Sequence, residues 1–129
     1  MPYTLLIIGG ILNALLVVFH IMFWKIFDWP NGLASLSADN RAIIQVLNIG
    51  VIFGLAVFAV LSIVFRREML DTRLGRFVTA AIAGFYILRA VCQLMFWGSG
   101  TESVIAFVVL LLIAFLYDVA FHLTKPIRK

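Results

Sequence analysis

Charge is what this sequence has least of. Asp, Glu, Lys and Arg make up 12% of the chain, and they crowd into three short stretches instead of the scatter that a water-facing surface requires. That pattern excludes an ordinary soluble domain. Cysteine is nearly absent: Cys92 stands alone inside an apolar segment, so no disulfide framework exists and no redox compartment is indicated. Cys/His metal spacings, phosphate-cradling glycine loops, nucleophile elbows and Ser-His-Asp constellations are also missing. The two histidines, His20 and His122, fall near opposite ends of the expected structure, where one haem cannot join them. Beyond Met22 and Met95 at a single end, nothing offers a second axial ligand, so no cofactor is expected. The net charge of +4 comes without a basic face interleaved with aromatics, which argues against nucleic acid as a partner.

What remains is apolar. Of 129 residues 64% are hydrophobic and the mean hydropathy is +1.14, more than a core of this size can use. A hydrocarbon layer of roughly 30 Å takes about 20 apolar residues of helix, and four stretches meet that length: 5–27, 42–65, 77–97 and 103–123. They leave no room for a soluble domain, so 1–129 reads as one integral membrane unit. Backbone amides in lipid must pair within their own segment, and the alternation of a barrel strand is absent. The expected fold class is therefore all-α, a four-helix transmembrane bundle running up-down-up-down. The first stretch reads as a span rather than a cleavable signal, because residues 1–4 carry no Lys or Arg and the apolar run is too long.

Direction follows from the basic residues. Arg66, Arg67, Arg73, Arg76, Lys125, Arg128 and Lys129 fall on one side and Lys25 and Arg41 on the other, so the richer side, with both termini, is expected in the cytoplasm. Trp24, Phe27, Trp29 and Trp97 then form an aromatic belt at the outer boundary. Trp29-Pro30-Asn31-Gly32 is a turn sequence, Leu33, Ala34 and Leu36 suit an interfacial turn, Ser37 or Asp39 suits the cap of the second span and Asp71 or Thr72 that of the third. Small residues four apart, Gly10 with Ala14, Gly50 with Gly54 and Ala80 with Gly84, predict close packing of the first three helices with the fourth more toward lipid. Internal packing is the preferred use of Gly50 and Gly54, with homo-oligomer formation as the other. His20-Ile21-Met22-Phe23-Trp24 is similar to Gln93-Leu94-Met95-Phe96-Trp97. Convergent use of interfacial aromatics explains that match, and a parallel two-plus-two repeat is the alternative.

Polar residues at membrane depth supply the functional candidates, since a charge near the centre costs roughly 2.5–3.5 kcal/mol or more. Arg89 lies eight positions before Trp97, about 12 Å below the outer boundary, and its side chain is expected to lean inward. His20, Gln45, Asn48 and Gln93 share its half of the membrane, with Tyr86 one turn beneath. Together these six predict an outward polar pocket. Asn13, Asp118 and His122 form a second polar group, in which Asp118 and His122 share a face near the inner end of the fourth helix. Asp118 could instead stretch to Arg89, but separate satisfaction is preferred, Arg89 by the outer amides and Asp118 by inner basic groups. Interhelical hydrogen bonding accounts for Asn13, Gln45 and Asn48 equally well.

Two segments carry a resemblance. Asn40-Arg41-Ala42-Ile43-Ile44-Gln45-Val46-Leu47-Asn48 and Phe85-Tyr86-Ile87-Leu88-Arg89-Ala90-Val91-Cys92-Gln93 resemble those of an uncharacterised family of small bacterial four-span integral membrane proteins, and size and span number are similar to DoxX-like proteins in architecture alone. The resemblance implies a multi-pass protein of a bacterial cell inner membrane and implies no activity. The expectation is a non-enzymatic accessory or ligand-binding module whose partners are the lipid bilayer and an anionic lipid or small anionic ligand held by Arg89. Two alternatives stand beside it: an oligomeric transporter or channel for ions or small solutes, and a membrane enzyme acting on a lipid or quinone with His20 as acid or base.

Overall fold

Four long helices dominate the computed structural model, which describes residues 1–124. Lys125, Arg128 and Lys129, three of the basic residues used to assign direction, lie outside them. In chain order the helices are α1 (Pro2–Ile21), α2 (Phe23–Ile26), α3 (Ala38–Ile63), α4 (Arg66–Asp71), α5 (Arg73–Trp97) and α6 (Thr101–Leu123), with a 3₁₀ turn at Asn31–Leu33. No strand occurs among the described residues. The all-α up-down-up-down bundle read from the sequence is the observed fold, and α1, α3, α5 and α6 are each long and apolar enough to cross a membrane. Leu15, Phe53, Leu88 and Phe115 are exposed on the outside of all four, as they are in a helix whose solvent is lipid. The chain has the architecture of a multi-pass membrane protein.

Local chemistry sets the ends. Ser37 Oγ accepts from the Asn40 amide at 3.3 Å and starts α3, while Thr72 Oγ1 accepts from the Gly75 amide at 2.9 Å and starts α5. Each removes one orphan donor from a first turn. The first span differs from its expected 5–27 extent: α1 begins at Pro2 and breaks at Met22, and α2 follows as a single turn. The charged stretch after α3 is itself helical. α4 crosses so close to α5 that a methyl on Gly75 would collide with the Glu68 carbonyl, and Thr79 Oγ1 donates to the Met69 carbonyl at 3.0 Å. Both termini of the described chain lie at this end, which we call the termini end; Trp24, Trp29 and Trp97 mark the tryptophan end.

The packing order corrects the sequence reading. α1 lies against α3 and α6, and α6 against α5, so the fourth span belongs to the core. Ile113, Ala114, Tyr117 and Ala120 of α6 are all buried. Close approach is made by Gly10, a member of the first spaced pair, and by its neighbour Gly9, while Ala14 and the other two pairs are not used: a Cβ on Gly9 would meet the Tyr117 ring at 2.8 Å and one on Gly10 the Ile63 side chain at 2.6 Å. At Gly50, Gly54 and Gly84 a Cβ would meet nothing within 4 Å. Spacing of small residues marks a smooth stripe, but which stripe is used depends on where a partner helix also has something to place. Here that is the Tyr117 ring.

Candidate functional site

Two polar systems occupy the bundle, and they divide the candidate residues differently from their grouping by depth. The central one is closed. Asn13 is fully buried; its Nδ2 donates to the Gly9 carbonyl at 2.8 Å and to the Tyr117 hydroxyl at 2.9 Å, and its Oδ1 accepts from the Tyr86 hydroxyl. Tyr117 and Ser62 share a further hydrogen bond of 2.6 Å. One asparagine thus joins side chains from all four long helices, with both its donors and its acceptor used. Asn13 is not brought to Asp118 and His122, and Tyr86 turns its hydroxyl to α1, away from Arg89. Sequence reading did not single out Ser62 or Tyr117. The available signal was that Tyr86 and Tyr117 lie in mid-span, where a phenol in lipid must find a partner.

Asp118 and His122 pair with one another at 3.3 Å on the surface of α6, with side chains 57% and 68% exposed. No ion pair links Asp118 to Arg89 among the described residues. At the termini end Tyr3 donates to Asp71 at 2.8 Å. Arg76 donates to the Thr124 carbonyl at 3.0 Å and stands over the Phe121 ring at 4.2 Å.

At the tryptophan end the amides are spent on helix contacts. Gln45 accepts from Trp24 Nε1 at 3.0 Å and donates to the Arg41 carbonyl at 3.2 Å. Asn48 donates to the His20 carbonyl at 2.9 Å, joining α3 to α1. Gln93 donates to Ser103 Oγ at 3.3 Å, joining α5 to α6. None of them reaches Arg89, so the expectation that outer amides satisfy it is corrected. Its side chain also runs toward the tryptophan end, not inward, and brings Cζ to 5.3 Å from the Trp97 ring centre, within cation–π range. An arginine has enough torsions to reverse the lean of its Cα–Cβ bond, and the ring offers a face that the crowded Tyr86 level does not.

Arg89 is left with unused capacity. Its Nη1 is buried and has no hydrogen-bond partner among the described residues. A buried donor of a charged group is costly to leave unmet. His20 Nδ1 is 2.8 Å from the Leu16 carbonyl, which can only accept, so this nitrogen carries the proton and Nε2 of the neutral ring is an acceptor. Phe19 and Phe23 flank that ring, with centroids at 5.7 and 4.6 Å. The arrangement offers one unmet guanidinium N–H beside an aromatic ring, and that charged donor is what suits the capture of an anion. No three His, Cys, Asp or Glu side chains among the described residues are placed to share a metal ion.

An apolar groove runs along α3. α3 and α5 diverge and leave an apolar trough of about 460 Å³ lined by Val46, Leu47, Gly50, Gly54, Phe58 and Phe85, among others. Arg89 is one turn beyond Phe85 toward the tryptophan end. No family model, no curated protein and no solved structure matches this chain.

Proposed function

We propose that the protein is a non-enzymatic, ligand-binding or accessory module of a bacterial inner membrane, holding an anion at Arg89 on the face opposite its cytoplasmic termini. The carrying observation is the buried Arg89 Nη1 without a partner: a carboxylate or phosphate oxygen there makes a charge-assisted hydrogen bond. Arginine is suited to both through its planar fork of donors. The Trp97 ring lies against the same guanidinium. Binding is favoured over conduction because the polar groups midway through the bundle, Asn13, Tyr86, Tyr117 and Ser62, engage one another. They form a joint between helices and offer no continuous polar path.

Thermal melting of the purified protein with inorganic phosphate or acetate tests this reading. Both anions should raise the Tm of the unmutated chain, Arg89→Lys should keep part of the shift and Arg89→Leu should lose it. An equal shift in Arg89→Leu would reject the site.

A further inference from the structure

The α3–α5 trough and Arg89 lie one helical turn apart along α5 and have two different chemistries. Along α5, Phe85 and Arg89 are four residues apart, so they lie on one face, and Phe85 lines the trough. The guanidinium reaches from there toward Trp97, the level at which headgroups meet aromatic rings. The trough is apolar throughout and its glycines are bare, with nothing within 4 Å of a Cβ at Gly50 or Gly54.

Its length also discriminates between occupants. From Val46 to Phe58 α3 rises about 18 Å, and an edge-to-face contact of Phe58 with Phe85 at 5.5 Å joins the two helices there. That span is near the roughly 15 Å of one leaflet's hydrocarbon and well short of the roughly 30 Å over which a partner helix would pack.

Building on the anion site proposed above, we infer that its ligand is an anionic lipid, whose phosphate meets Arg89 and whose acyl chain lies in the trough between α3 and α5. The charge selects the headgroup and the bare glycines admit the chain. The trough accounts for Gly50 and Gly54, against which no helix among the described residues packs.

The test uses the full chain in vesicles mixing phosphatidylcholine and phosphatidylglycerol in equal parts, followed by gentle release and native mass spectrometry. The unmutated protein should retain phosphatidylglycerol over phosphatidylcholine by about fivefold: both lipids carry a phosphate, but the choline cation of the second is repelled by the Arg89 charge. Arg89→Leu should abolish that preference. Gly54→Leu, and independently Gly50→Leu, should lower retained lipid about tenfold while the Arg89-dependent Tm shift with inorganic phosphate persists. A phosphatidylglycerol bearing a diazirine near its chain end should label 46–58 and Phe85 in the unmutated protein, which needs no variant. Full lipid retention in both glycine variants, or labelling spread evenly over the exposed helix faces, overturns the lipid inference and leaves the anion site standing. Loss of both the headgroup preference and the phosphate shift in the unmutated protein overturns the two together. A dimer that either glycine variant converts to monomer assigns the trough to a second copy and also overturns the inference.

Discussion

The bundle has a pair of glycines on α1 and another on α3, and the two pairs differ in what reaches them. On α1, Gly9 and Gly10 are covered by the Tyr117 ring and by Ile63 and Ser62, so that α1 is held against α6 and α3. On α3, Gly50 and Gly54 open to a trough that no side chain fills. Residue type is the same and both faces are apolar. What separates them is the hydrogen-bonding demand beside the first: Asn13 is one turn from Gly9 and collects the hydroxyls of Tyr86 and Tyr117. In lipid, where apolar contact alone gives little preference between one helix face and another, polar side chains that must be paired decide which faces meet.

Substitutions can break this contrast in order of severity. Gly10→Leu is expected to cost about 3 kcal/mol by overpacking against Ile63 and the Ala59 carbonyl, seen as a large fall in unfolding midpoint in mild detergent. Asn13→Leu should cost about 2 kcal/mol, because it strands the Tyr86 hydroxyl and takes a partner from Tyr117, measurable in the same assay. Tyr86→Phe should cost about 1 kcal/mol, and a double-mutant cycle with Asn13 should return a coupling of about 0.6–1.7 kcal/mol. Gly54→Leu and Gly84→Ala should change stability by no more than about 0.5 kcal/mol. If either Gly54→Leu or Gly84→Ala destabilised the chain as strongly as Gly10→Leu, the two faces would be equivalent and the contrast would vanish.

A second difference separates the matched segments at the tryptophan end. His20 to Trp24 spans the break between α1 and α2, whereas Gln93 to Trp97 continues the helical course of α5. Trp24 donates to Gln45 and Trp97 faces Arg89, so the same residue type closes one side and stands over an unpaired charge on the other. Replacing Trp97 with Leu should therefore weaken phosphate-dependent stabilisation by about fivefold in apparent affinity, the loss of roughly 1 kcal/mol of cation–π attraction. Titration of the Tm shift checks it.

Much of the architecture was legible because lipid imposes few choices. The number of spans, the all-α class and the caps at Ser37 and Thr72 follow from run length and residue type. The site was legible only in part. Depth, counted at a fixed rise per residue, assigns His20, Asn48, Arg89 and Gln93 to one end, but it carries no information on azimuth between helices. Gln93 turned to Ser103 and Gln45 to Trp24, while Asn13 and Tyr86 met each other across the core. Arg89 was identifiable as an expensive residue; that it would be left with an unmatched N–H was not, because that depends on how every neighbouring amide is used.

Sequence alone therefore determined the number of membrane crossings and the chain's antiparallel course, since a backbone in oil must satisfy its own hydrogen bonds and can do so only as helices. Tertiary structure decided which helices touch, placing α6 in the core and parting α3 from α5. That choice depends on where a few hydroxyls and amides on different helices find one another, a relation no single segment encodes.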